Sequence, residues 1–163
     1  MDDTCPNLFD PDAWRAWRQR RRVAQTWGDF LNQYVWAHFV TLTTEVAMSA
    51  DRLRHEFTDP FVSRLTCATQ RRVPYSWVVE RGLAGMRLHL HALVAGTASL
   101  ETPQLQWAWK AGRAKIEAYD RARGVAHYLA KTIGVVALGT TTTSRVGDRH
   151  SSSKPATACA LIT

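Results

Sequence analysis

Two imidazoles one residue apart interrupt an otherwise apolar run, RLHLHALV, from Arg87 to Val94. Successive strand side chains point to opposite faces, so His89 and His91 share one face while Leu90 enters the other. Two neutral imidazoles held this way make half of a metal site. Glu80 ends the preceding strand, YSWVVE, and across a short turn its carboxylate can stand on the histidine face. Two nitrogens and one carboxylate oxygen suit Mn2+ or Mg2+, with positions left open for substrate oxygens. A longer or shifted hairpin would leave Glu45 or Glu117 as the carboxylate, or no third protein ligand. Taken alone, a His-x-His strand serves a packed core equally well.

A second pair lies near the end of the chain. Tyr128 and Lys131 are three residues apart, hence neighbours on one helical face, with His127 rotated away. A phenol is a poor nucleophile at neutral pH, so using it requires a nearby cation and a polarised target. Lysine one turn along, beside a metal on the sheet, meets both needs. By itself Tyr-x-x-Lys describes any amphipathic helix with a half-buried tyrosine.

These residues need elements to hold them. Asp10 and Pro11 open an Arg-rich helix with Trp14, Trp17, Trp27, Leu31 and Tyr34 along one side and a break expected at Gly28. VWAHFVTLTT, Val35 to Thr44, is β-branched and aromatic, hence a strand. Ser49 caps a helix, and Asp59-Pro60 is expected to restart it. YSWVVE and MRLHLHALVA form a hairpin through RGLAG. Thr102-Pro103 opens a short helix, AKIEAYD is a strand, and ARGVAHYLAKTIG is a helix expected to end at Gly134. The order implies an α+β domain: a central antiparallel β-sheet with flanking helices, mainly on one face. Boundaries are expected at 1–34 for an N-terminal helical extension, 35–138 for the domain, and 139–163 for a Ser/Thr-rich tail expected to be disordered.

A chain of 163 residues can bury about 70% of its unfolded surface as one domain. Its 21 Lys+Arg against 14 Asp+Glu give a net charge of +7, and arginine outnumbers lysine, which favours a polyanion partner. Arg20, Arg21, Arg22 and Arg87 are candidate phosphate contacts. Trp36, Trp77, Trp107 and Trp109 are candidate faces for unstacked bases, with Trp77 the first choice. Cys5, Cys67 and Cys159 lack Cys-x-x-Cys spacing, so neither disulfides nor a zinc knuckle are expected, and a reducing, cytoplasmic setting follows. No apolar run approaches the ~20 residues of a membrane span.

The ordered triple of a strand FVTLTT (Phe39 to Thr44), then His89-Leu90-His91, then Tyr128-Leu129-Ala130-Lys131 resembles the three sequential motifs of the HUH endonuclease superfamily. The likeness is greatest to single-tyrosine rolling-circle replication initiators of plasmids and phages, and runs from Val35 to Gly134. The resemblance implies that His89 and His91 hold a catalytic metal with Glu80 as the added acidic ligand. It also implies that Tyr128 attacks a phosphate of single-stranded DNA or an origin hairpin, forming a 5′-phosphotyrosyl link, and that Lys131 stabilises charge. A lone tyrosine in the motif helix argues against a two-tyrosine mechanism, and Tyr119 lies on the preceding strand. No phosphate-binding Gly-x-x-x-x-Gly-Lys-Ser/Thr loop occurs, so no nucleotide cofactor is expected and unwinding falls to a host helicase. A transposase or relaxase would use the same residues. A non-catalytic nucleic-acid-binding module, by contrast, would use the sheet and the basic residues without a metal.

Overall fold

The computed structural model describes residues 10–82 and 87–136, the last six by backbone alone. Lys131 lies among those six, and the tail from 139 and most of the hairpin turn fall outside the described residues.

The elements run α1 (Pro11–Leu31), β1 (His38–Thr43), α2 (Ala50–Glu56), a π turn (Phe57–Phe61), α3 (Val62–Thr69), β2 (Tyr75–Arg81), β3 (Leu88–Val94), α4 (Thr102–Ala108), β4 (Ala114–Ala118), a short 3-10 turn (Arg121–Arg123) and α5 (Val125–Val136). The strands form one antiparallel sheet in the order β2-β3-β1-β4. From β1 to β4 this is the β-α-β-β-α-β arrangement of ferredoxin-like folds, with the histidine strand β3 in the interior.

Strand alternation sends Val40, Leu42, Leu90, Ala92 and Val94 to one face, where Leu53, Phe57, Phe61, Leu65 and Leu105 of the intervening helices close a core. Each such side chain removed from water contributes about 1.5–3 kcal/mol. The opposite face is not bare. Val78 and Leu93 pack there under Leu31 of α1 and Ala126 and Leu129 of α5. Helices therefore lie on both faces, and α1 and α5 leave only part of the second face open.

Asp10 accepts from the Asp12 and Ala13 amides, with Pro11 in the first turn, so α1 begins where expected. Gly28 does not break it. The glycine is buried beneath the His127 ring, which a side chain at residue 28 would displace. Likewise, Asp59-Pro60 does not restart a helix. Pro60 has no amide hydrogen to donate, and the chain passes it through one wide π turn that joins α2 to α3. Gly134 does not end α5, since one glycine lowers helix propensity by only about 1 kcal/mol. The left-handed glycine of this region is Gly124, φ 65°, which turns the chain from the 3-10 turn into α5. Cys67 is disulfide-bonded, contrary to the expectation drawn from cysteine spacing, because spacing along the chain does not report proximity in space.

Candidate functional site

The register of the sheet decides which polar side chains meet. Glu80 pairs with His89 and Val78 with His91 across the β2–β3 hairpin, while Thr41 and Thr43 pair with His91 and His89 from the other side. Directly paired strand residues share a face, so Glu80, His89, His91, Thr41 and Thr43 rise from the face that α5 partly covers. Gly82 donates its amide to the Arg87 carbonyl at 2.9 Å, which closes the hairpin tightly enough to keep Glu80 opposite His89.

α5 is fixed over this face by Ala126, Leu129 and Ala130, all fully buried. His127 turns instead toward α1, 3.3 Å from Asn32 Nδ2, and Asn32 in turn accepts from the Tyr119 hydroxyl at 3.0 Å. The next residue, Tyr128, faces the sheet. Its hydroxyl donates to Glu80 Oε2 at 2.8 Å, and the same oxygen lies 3.5 Å from His91 Nε2. The Tyr128 ring meets the His91 ring edge-on, at 5.8 Å between centroids.

His91 is held on three sides. Phe39 stacks on it at 5.7 Å with planes 8° apart, Tyr128 abuts its edge, and its Nδ1 is 3.1 Å from Thr41 Oγ1. Burial lowers its pKa, Glu80 opposes that shift, and His89 adds to it, so the ring is neutral at pH 7. A neutral ring that donates from Nδ1 to Thr41 leaves the Nε2 lone pair directed at Glu80. A separation of 3.5 Å is long for a hydrogen bond between them. It agrees with two ligands on one ion: atoms each about 2.1 Å from a cation and about 90–110° apart are separated by about 3.0–3.4 Å.

The third expected ligand stands differently. His89 sets its Nε2 against the Gly82 backbone, where a Cβ on residue 82 would approach to 2.6 Å. Among the described residues, no group of three His, Cys, Asp or Glu side chains is assembled to hold a metal ion. Glu80 and His91 thus fit a divalent ion in chemistry and spacing, and His89 fits in chemistry and strand face.

Tyr128 has its pKa pushed up to about 12, first by loss of solvent around the hydroxyl and then by the hydrogen bond to Glu80 and its negative charge. The residue is 46% exposed, so the desolvated part is the hydroxyl end turned down to the sheet, and the rest of the ring faces solvent. Beside it opens a groove of about 390 Å³ between β1, β4 and the start of α5. Lys115 and Arg123 border the groove, and Glu117 lies between them, 3.0 Å and 3.5 Å away. Their charges hold the Glu117 carboxyl below its ordinary range, Lys115 foremost through its hydrogen bond.

A family model for the replication-associated protein of the ORF2 type matches residues 37–134. The chain belongs to this family. As a member of a replication initiator family it has its role in DNA replication, and the matched span holds the four strands, both histidines, Glu80 and Tyr128. Comparison with curated proteins and with solved structures gives no match. No helix among the described residues is long and apolar enough to cross a membrane.

For this replication-associated protein, the expected base-stacking tryptophans need correction. Trp77 is 3% exposed and lies in the core on the face away from His89 and His91, so it cannot stack on a base. Trp36 and Trp109 are also buried, their indole nitrogens donating to Leu31 and Thr43 carbonyls. Trp107 is exposed but has the Lys110 ammonium 3.6 Å over its ring. Arg87, Arg20, Arg21 and Arg22 are exposed. Glu45 and Glu117, the alternative carboxylates, stand off the β2–β3 hairpin. Thr41 and Phe39, the two residues that orient His91, do not stand out individually in the sequence, although both share its face by strand parity.

Proposed function

We propose that the chain nicks and rejoins single-stranded DNA at a specific site through a covalent 5′-phosphotyrosyl link at Tyr128, and so initiates rolling-circle replication. The observation that carries this reading is the shared carboxylate: Glu80 Oε2 takes the Tyr128 hydroxyl at 2.8 Å and faces His91 Nε2 at 3.5 Å. A nucleophile, its proton acceptor and a metal-type ligand meet within one side chain's reach.

At neutral pH the phenol keeps its proton, so the proton must leave as the oxygen attacks. Glu80 Oε2 is the acceptor in contact. The Tyr128 oxygen bonds to phosphorus, the bond to the 3′ oxygen breaks, and a 3′-OH is freed as a primer. The tyrosyl diester keeps the energy of the broken phosphodiester, and a returning 3′-OH reverses the step. His91, Glu80 and His89 would hold Mn2+ or Mg2+, which supplies positive charge to the nonbridging phosphate oxygens and offsets the charge of Glu80. Lys131, one helical turn from Tyr128, is assigned to the developing negative charge. Lys115 and Arg123 border a groove suited to the flanking strand, which a host helicase presents unpaired.

The test incubates the protein with Mn2+ and labelled oligonucleotides covering the replication origin. A denaturant-resistant adduct is expected with the wild type, and its loss is expected with Tyr128→Phe and with the double variant His89→Ala, His91→Ala. Equal cleavage without an adduct in wild type and Tyr128→Phe would overturn the proposal.

A further inference from the structure

The outward side of α1 carries a second concentration of charge, away from Tyr128. With about 3.6 residues per turn, Arg15, Arg18, Arg21 and Arg22 fall within about a third of the helix circumference, and all four are exposed. Ala16, Trp27, Gly28 and Leu31 occupy the inward side, and Arg20 projects from that side too. Arg15 pairs with Asp12. Arg18, Arg21 and Arg22 have no carboxylate partner among the described residues, and the other aspartate of the helix, Asp29, takes a hydrogen bond from Gln25. Like charges at this density repel one another, and a polyanion relieves that repulsion.

The geometry selects among polyanions. A single strand needs a groove and free aromatic faces. This surface is a convex rod, and its nearest indole, Trp17, has the Arg21 guanidinium 4.7 Å over its ring and Trp14 packed on its edge. A membrane-surface helix needs its apolar side free to enter the interface, whereas α1 has Gly28 and Leu31 buried against the rest of the domain. A rigid row of guanidiniums spanning seven residues covers about 10 Å of helix axis. At about 3.4 Å of axis per phosphate along one strand, that length matches roughly three consecutive phosphates of a duplex backbone.

We propose that Arg15, Arg18, Arg21 and Arg22 form a sequence-independent binding surface for the phosphates of duplex DNA. Because α1 packs on α5 through Gly28 and His127, and Tyr128 is the next residue, a stem held on α1 lies one helix away from the nucleophile. Its use as an origin-stem anchor rests on the function proposed above, while its preference for duplex DNA does not.

The test is fluorescence anisotropy at several salt concentrations, with full-length wild type and the triple variant Arg18→Ala, Arg21→Ala, Arg22→Ala. Alanine at these exposed helical positions keeps helix propensity, and circular dichroism checks the fold. Three ligands are compared: a hairpin with a long duplex stem, a single strand of equal length, and vesicles rich in anionic lipid. For the hairpin, the slope of log affinity against log salt is expected to fall by about 2–3 in the variant, at ~0.9 per lost phosphate contact. Single-strand affinity and adduct formation on a short unpaired oligonucleotide are expected to stay within about twofold. The control Arg52→Ala, on the opposite side of the sheet, leaves the slope unchanged. An unchanged hairpin slope, an equal loss on the single strand, or vesicle binding that the substitutions abolish would each overturn the proposal. Absence of any adduct in the wild type, with the hairpin slope still reduced, would contradict the nicking function and leave this surface standing.

Discussion

The Tyr128 hydroxyl donates to Glu80 Oε2 at 2.8 Å, joining a helix and a strand that are 48 residues apart in the chain. The contact rests on sheet register, because Glu80 reaches α5 only when the hairpin sets it opposite His89. The consequences of this arrangement can be measured one residue at a time.

Replacing Glu80 by Gln removes the negative charge beside the phenol while keeping a polar partner of the same shape. Loss of an anionic neighbour favours the phenolate, so the Tyr128 midpoint is expected to fall from about 12 toward its ordinary 10.0, stopping short because desolvation, the largest cause, remains. A tyrosine-resolved NMR titration of wild type and Glu80→Gln reads the difference. An unchanged midpoint would assign the whole shift to burial.

Thr41→Val keeps the side-chain volume and deletes the oxygen 3.1 Å from His91 Nδ1. Loss of such an orienting partner typically weakens metal binding 10–100-fold. Calorimetric titration with Mn2+ is expected to show that loss with the sheet intact by circular dichroism. An affinity equal to wild type would remove Thr41 from the account.

Gly82→Ala places a methyl 2.6 Å from His89 Nε2, so the imidazole must move. The same titration is expected to show weakened Mn2+ binding with little change in thermal midpoint, since the obstacle is one ring tip at the rim of the sheet. If the ion is held by Glu80 and His91 alone, affinity stays at the wild-type value.

Gly28→Ala acts on stability instead. Its methyl collides with the His127 ring and wedges α1 from α5. Overpacking of this kind costs about 1–3 kcal/mol, and each kcal/mol shifts the midpoint of a chain this size by roughly 2–4 °C. A thermal melt at or above the wild-type midpoint would show that the two helices are not pressed together there.

Much of this site was legible in the sequence because strand periodicity is strict. The parity that puts His89 and His91 on one face also admits Glu80 once the hairpin is short, and Asp10, Ser49 and the glycine turn mark element ends by local chemistry. The same parity excludes Trp77, three residues before Glu80 and hence on the other face, so its assignment to DNA gave aromatic character too much weight. Tertiary pairings were less legible. Thr41 meets His91 only through the β1–β3 register, and Gly28 reads as a helix breaker until His127 is seen above it. Pro60 reads as a start signal, but the apolar residues around it, Phe57 and Phe61, are fully buried and draw the chain onward through a π turn.

The central claim is that Tyr128 is the nucleophile of a strand-transfer reaction, and it is tested most directly by mass spectrometry of the protein–DNA adduct. After reaction with an origin oligonucleotide and Mn2+, digestion is expected to yield one peptide bearing a 5′-phosphonucleotide on Tyr128, and none from Tyr128→Phe. A nucleotide on any other residue, or an origin strand cut with no nucleotide on the protein, would contradict the account.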